Sequence, residues 1–203
     1  MTIKEFFEKN KNWDTKDKKI LMYSGGMDSW LIRQLWKPDV CVFVDVGTKS
    51  SKEERKRLSE DVVVIDLDIS EFELPEKNYL LPLRNLFFVE LGSYFGDIIC
   101  LGATGTSTHF DKTEEFAQKT SEILNYLYKE NNPDRAIKII MPYCGKYKQD
   151  MLKEYLDQGG DIKYAWEHTF SCYNPQNGMM CGKCSSCKKR IEAFKLNGFD
   201  VVI

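Results

Sequence analysis

Histidine is nearly absent from this chain of 203 residues, which holds only His109 and His168. A mechanism that rests on a histidine base therefore has few candidates, and both residues read more simply as structural. No apolar run approaches the ~20 residues needed to cross a bilayer, which counts against a membrane-spanning helix. An excess of one charge is missing too, since 29 Lys and Arg oppose 31 Asp and Glu. That balance counts against a globally basic nucleic-acid binder and against a polybasic membrane-surface protein, so no stable nucleic-acid partner and no membrane are expected. The opening Met1-Thr2-Ile3-Lys4-Glu5 leads into a charged amphipathic stretch without the apolar region of a signal peptide. There is no internal repeat, no low-complexity linker and no G-x-x-x-x-G-K-S/T phosphate loop. The expectation is a cytoplasmic protein.

What is present suffices for a core: 42% of residues are hydrophobic, with 12 Phe, 10 Tyr and 4 Trp. At roughly 150 residues per domain, one domain with an appendage is expected. Residues 2–11 read as a helix, with Thr2 and Glu5 at capping-box spacing. Short runs rich in Val and Ile follow at 20–23, 40–46, 62–67, 98–101 and 137–141. Several are continuously apolar, as suits strands covered on both faces of a parallel sheet. Helical patterns alternate with them, at 28–36, 50–59, 84–95, 113–130 and 147–158. Ser50-x-x-Glu53 offers a capping box to the second of these, Asn131-Asn132-Pro133 stops the fourth, and Gly159-Gly160 ends the fifth. The reading is an α/β fold with a doubly wound parallel sheet and right-handed connections. From Glu167 the composition shifts to Cys, Gly, Asn and Lys with little periodicity. The boundaries expected are 1–166 for the main domain and 167–203 for a small metal knuckle with a C-terminal helix packed on it.

The segment Tyr23-Ser24-Gly25-Gly26-Met27-Asp28-Ser29 falls where the first strand ends and a helix begins. Ligands of open α/β sheets bind outside the carboxyl ends of the strands. A helix start presents unpaired N–H groups, and two adjacent glycines let the backbone curl around an anion. Ser24 and Ser29 add hydroxyls suited to phosphate oxygens. A carboxylate at Asp28 needs a reason, either magnesium bridging or N-capping of the helix.

Seven cysteines are distributed unevenly. Cys41, Cys100 and Cys144 stand alone in or beside apolar runs and read as small buried hydrophobes. Cys172, Cys181, Cys184 and Cys187 fall within 16 residues. In a reducing compartment such a cluster is a metal site before it is a set of disulfides. Zinc suits four sulfurs and leaves no open position for chemistry; an iron–sulfur cluster is the other reading. Lys183, Lys188, Lys189 and Arg190 surround the cluster. They either offset the negative charge of a tetrathiolate site or grip RNA, and the balanced net charge favours the first.

The hexad Ser24–Ser29 resembles the SGGxDS signature of the PP-loop ATP pyrophosphatase superfamily. That resemblance implies a Rossmann-like fold of the adenine-nucleotide α-hydrolase type and cleavage of ATP to AMP and pyrophosphate. It implies that Ser24, Gly25, Gly26, Met27, Asp28 and Ser29 cradle the pyrophosphate portion of ATP, with Asp28 serving Mg2+. Ser171-Cys172-Tyr173 and Cys181-Gly182-Lys183-Cys184-Ser185-Ser186-Cys187 with Arg190 look like the C-terminal zinc motif of the 7-cyano-7-deazaguanine synthase family. Pro82-Leu83-Arg84-Asn85-Leu86-Phe87-Phe88 is similar to that family's P-x-R-N-x-x-F segment. Asp111, Glu115 and Phe116 match part of its substrate loop, and Lys148 matches its lysine before the last main helix. The resemblance spans about Lys18 to Phe194.

The family usually carries a Tyr-Gly-Gln-type turn after its second strand, where this chain has Asp45-Val46-Gly47-Thr48-Lys49. Its Asp-Cys-Arg is here Asp111-Lys112-Thr113, and the approach from Gly102 to Phe110 is shorter.

The implied activity is amidation, then dehydration, of a deazapurine carboxylate with ATP and ammonia, giving 7-cyano-7-deazaguanine. Asp28, Ser29 and Lys148 are the expected catalytic residues, and Arg84, Asn85 and Asp111 the expected substrate contacts. Arg84 could instead be a surface ion pair, and Lys148 could have no role at the phosphates. Three rival functions stay open: a relative that stops at the amide, another PP-loop enzyme such as a tRNA thiolase using Cys100 or Cys144, and a non-enzymatic module. A homodimer is left open.

Overall fold

The computed structural model describes residues 1–77, 79–105 and 109–201. Five strands, β1 (Lys19–Met22), β2 (Val40–Asp45), β3 (Val63–Asp66), β4 (Ile98–Cys100) and β5 (Lys138–Ile140), form one sheet in the order β3-β2-β1-β4-β5. All pairings are parallel, with Ile20 opposite both Val40 and Ile99. The chain winds outward from β1 to β3, returns to β4 and winds outward again. The switch between β1 and β4 opens a crevice at the strands' carboxyl ends, where a doubly wound sheet takes its ligand.

The helices are α1 (Ile3–Lys9), α2 (Met27–Trp36), α3 (Lys49–Arg55), α4 (Arg84–Ser93), α5 (Glu114–Tyr128), α6 (Lys148–Asp157), α7 (Ile162–Glu167) and α8 (Ser185–Leu196). Strand side chains alternate between two apolar layers. Ile20, Met22, Val42, Val44 and Ile99 pack with Phe6 of α1, Val89 of α4 and Leu124 of α5. Leu21, Cys41, Phe43 and Cys100 pack with Leu31 of α2, Leu152 of α6 and Phe194 of α8. All six residues of β2 are buried, which explains its continuous apolar run. The C-terminal helix thus shares the main core. No helix among the described residues is long and apolar enough to cross a membrane.

The capping box on α1 is present: Thr2 Oγ1 accepts from the Glu5 N–H at 3.2 Å, and the Thr2 N–H donates to Glu5 at 2.7 Å. The box expected at Ser50 is not. Thr48 caps α3, accepting from the Ser51 N–H at 3.2 Å. The chain leaves β2 through Gly47 at φ +79°, which brings Thr48 into the extended cap conformation and starts the helix two residues earlier. Glu53, released from capping, pairs with Lys56 and Arg57. Asn131–Pro133 and Gly159-Gly160 do follow the ends of α5 and α6. The short α7, capped by Asp161, was not foreseen from the sequence. Of the Gly102–Phe110 stretch, residues 106–108 lie outside the described residues.

Candidate active site

Strand β1 delivers its last residues to the middle of the crevice, and the chain turns into α2 through Gly25 at φ +70°. Gly26 is the N-cap and has no side chain to spare room for, because a β-carbon there would meet Ser24 Oγ at 3.0 Å and the Phe170 carbonyl at 3.5 Å. The loop is held by its own hydroxyls. Ser29 Oγ accepts from the Ser24 N–H and donates to the Gly26 carbonyl, while Ser24 Oγ accepts from the Gly26 N–H, all at 3.1–3.2 Å. The Met27 N–H donates to Ser171 Oγ at 3.2 Å, and the Phe170 N–H donates to the Gly25 carbonyl. Asp28 and Ser29 follow in the first turn, where peptide N–H groups lack intrahelical partners and the dipole favours an anion.

Asp28 is not the cap of α2. Its carboxylate forms an ion pair with Lys148, the first residue of α6, and accepts from Thr104 Oγ1 at 3.1 Å. Two sequence-predicted residues 120 positions apart therefore meet at the loop.

A cleft of about 600 Å³ runs from this loop along the strand ends. It is lined by Ser24, Gly26, Asp28, Ser29 and Lys148 and by Arg84, Asn85, Phe88, Tyr173 and Lys112. A hollow beside Lys49, Lys52 and Asn177 is wider, but its Arg55 and Lys56 are already paired with Asp45 and Glu53. The cleft is the better candidate, since it lies at the strand ends and gathers the Ser24–Ser29 loop, Lys148 and Arg84 in one place.

Arg84 opens α4 immediately after Leu83, which adopts a left-handed φ of +61° that costs a leucine about 1 kcal/mol or more. The turn aims Arg84 into the cleft, where its Nε is buried without a hydrogen-bond partner among the described residues. Arg84 is half-buried overall and forms no ion pair among the described residues. Asn85 is buried and donates to the Asp111 carbonyl at 3.0 Å, so it ties down the loop that precedes α5. Asp111 itself does not line the cleft; the next residue, Lys112, does. Burial, with Arg84 beside it, holds the Lys112 amine below the usual lysine range, against the pull of Asp111 and Asp28. His109 also lines the cleft, whereas His168 lies outside it, stacked on Tyr164 at 3.7 Å.

Lys112 was not singled out from the sequence, nor was Glu54, which reaches the cleft from α3. No local pattern in the sequence sets either residue apart from its charged neighbours.

The four clustered sulfurs lie within 4.8 Å of one another. A tetrahedral zinc with Zn–S bonds near 2.3 Å has sulfur–sulfur edges of about 3.8 Å. Cys181 and Cys187 are already 3.9 Å apart, so the donor set fits. Peptide N–H groups of Cys181, Cys184 and Cys187 donate to sulfurs at 3.3–3.4 Å, with Gly182 at φ +67° turning the chain. At Cys181 burial is outweighed by the N–H groups of Cys184 and Lys183, which bring the thiol down to about 6. Arg190 does feel the charge of Cys187, but from inside the protein. It is buried under Trp166, whose ring lies 3.6 Å from the guanidinium, and bonds Thr169.

A sequence model of the family described as queuosine biosynthesis protein QueC matches residues 55–198. The chain belongs to the QueC family. Among curated QueC relatives, the 7-cyano-7-deazaguanine synthases of Sulfurihydrogenibium sp. and Persephonella marina are each 28% identical over 89% of this chain, covering 95% and 93% of those proteins. That of Methanothermobacter thermautotrophicus is 30% identical over 59% of the chain and 53% of its own length. Family membership agrees with the resemblance carried by the Ser24–Ser29 loop and the knuckle.

Proposed function

We propose that this chain converts 7-carboxy-7-deazaguanine and ammonia to 7-cyano-7-deazaguanine, with ATP cleaved to AMP and pyrophosphate. The observation that carries the reading is one cleft joining the Gly25-Gly26 loop and the Asp28–Lys148 pair to a half-buried Arg84 that has no ion pair among the described residues. The names of the curated relatives support the deazaguanine product.

A carboxylate oxygen is a poor leaving group. Its attack on the α-phosphorus of ATP breaks the bond to pyrophosphate and makes the acid an acyl-adenylate. Ammonia then attacks the acyl carbon, AMP leaves, and a proton passes to solvent, giving the amide. The amide oxygen attacks a second ATP in the same way, and loss of AMP and two protons yields the nitrile. Charge that builds on departing pyrophosphate faces the first-turn N–H groups of α2, Ser24 and Ser29. Lys148 is placed to shift from Asp28 to a phosphate oxygen. Asp28 is the residue that would hold Mg2+, which supplies charge neutralisation at the phosphates. Arg84, with both faces of its fork unclaimed by an ion pair, suits bidentate binding of the substrate carboxylate, and Asn85 holds the Asp111 loop beside it.

The thiolase reading loses support at Cys100, which is fully buried with its thiol pushed up by burial. A sulfur carrier must be reachable and ionisable. Mass spectrometry of the products formed from ATP, ammonia and 7-carboxy-7-deazaguanine tests the proposal. A nitrile, with AMP and pyrophosphate, is expected. An amide that persists with excess ATP points to the shorter pathway, and ADP with free phosphate as direct products sinks the reading.

A further inference from the structure

Glu54 projects from the end of α3 toward the phosphate loop. Its Oε1 lies 3.7 Å from where a β-carbon on Gly26 would stand, and its own carbonyl 3.8 Å from such an atom on Gly25. It lines the cleft, and its carboxyl has no hydrogen bond or ion pair among the described residues. Its neighbour Glu53, by contrast, is paired with both Lys56 and Arg57. An unpaired carboxylate beside a loop shaped for an anion would repel that anion. The conflict disappears if the group stays protonated.

Its surroundings favour the proton. The charged groups facing it are Arg84 from α4, Arg57 from its own segment and Asp45 from the end of β2. Arg57 is committed to the Glu53 and Gly178 carbonyls and to the Phe170 ring. Burial prevails over both arginines, Asp45 adds to it, and the carboxyl is pushed up to about 8. The Gly25-Gly26 and Phe170 segments offer it only neutral peptide groups.

We propose that Glu54 binds the pyrophosphate half of ATP as a carboxylic acid, donating its O–H to a phosphate oxygen, and gives up that proton as pyrophosphate leaves. The inference rests on the ATP reading above. When the substrate oxygen attacks the α-phosphorus, the bond to the bridging oxygen breaks and its electron pair stays on pyrophosphate. The Glu54 proton passes to a pyrophosphate oxygen. The carboxylate left behind repels the product, which helps it depart, and regains a proton from solvent.

The test is calorimetric titration of wild type and Glu54→Gln with pyrophosphate, from about pH 6 to about pH 9. Comparing the two proteins cancels the titration of pyrophosphate itself. Wild-type affinity should fall, relative to the variant, by about tenfold per pH unit above about pH 8, because a deprotonated Glu54 must first take up a proton. In single-turnover AMP formation, Glu54→Gln should be slower by about 10²-fold, with the alkaline decline of wild type absent. Equal pH slopes, or unchanged single-turnover rates, would overturn the role of Glu54. A loss of affinity in the variant only when magnesium is present would assign Glu54 to the metal and overturn it as well. Absence of pyrophosphate binding to wild type at every pH would remove the ATP reading itself. Thermal unfolding of the variant, expected to remain cooperative, establishes that it folds.

Discussion

In the cysteine knuckle, four sulfurs crowd within 4.8 Å of one another, and peptide N–H groups and the buried Arg190 share their charge. In the phosphate loop every charged or hydroxyl group already has a protein partner: Ser24 with Ser29, Asp28 with Lys148 and Thr104, the Met27 N–H with Ser171. The two regions meet at Ser171-Cys172, yet they are built to opposite ends. A tetrathiolate site is stable only when a cation completes it, and once filled it has no position left to exchange. The loop is held by single hydrogen bonds and one ion pair, which on the proposed function a phosphate would replace one at a time. A site that holds is left incomplete by the protein, and a site that turns over is provisionally closed by it.

The strongest way to break this contrast is to remove the metal. Chelation, or Cys184→Ser, should cost several kcal/mol and abolish cooperative unfolding, since structural zinc contributes folding energy directly. Metal analysis returning no zinc from a protein that melts normally would end the comparison. Next in size, Asp28→Ala should lower AMP formation by about 10³-fold while the fold persists, because it removes the group that positions Lys148 at the loop. Wild-type turnover in that variant would mean that the ion pair only ties α2 to α6. Arg84→Gln should raise the KM for the deazaguanine acid by roughly 10²-fold and leave that for ATP unchanged; steady-state kinetics on both substrates separates these outcomes.

Glu54 sharpens the contrast through pH. Its folded pKa of about 8 lies above its ordinary value of 4.5, so the native state keeps a proton that the unfolded chain has released. Its contribution is complete below about pH 4.5 and is lost as pH rises to about 8. The melting temperature of Glu54→Gln relative to wild type should therefore increase from about pH 5 to about pH 8, by roughly 3 °C or more. A constant difference would remove the buried-acid assignment. The smallest effect is expected at the junction: Ser171→Ala should cost about 1 kcal/mol and weaken ATP binding a few-fold, with zinc content unchanged.

The strands were legible because a continuously apolar β2 and short Val- and Ile-rich neighbours leave little choice but a doubly covered parallel sheet. The phosphate loop and the knuckle were legible because adjacent glycines and close-set cysteines act locally. Asp28 and Lys148 could each be named, but their meeting depends on how α2 and α6 pack across the sheet. Glu54 and Lys112 were hidden for the same reason, since only the packing of α3 and the turn before α5 shows that they face the cleft. Ser50 misled because Thr48, set by Gly47, captured the cap first. Arg190 follows Lys188 and Lys189 directly and looks like them in the sequence, whereas α8 buries it beneath Trp166.

Ser171 and Cys172 are consecutive, and they face different masters: one bonds the Met27 N–H at the start of α2, the other belongs to the cysteine cluster. A peptide bond is thus the whole distance between the wall of the Gly25-Gly26 loop and the cysteine cluster. Recombination at that point is constrained. A chimera that exchanges residues 167–203 for the knuckle of a relative replaces a wall of the phosphate loop together with the metal ligands, and Phe194 of the core with them. Grafts whose donor supplies a hydroxyl immediately before its first cysteine should keep the Met27 N–H satisfied, and those without it should lose about 1 kcal/mol at the seam between the two halves.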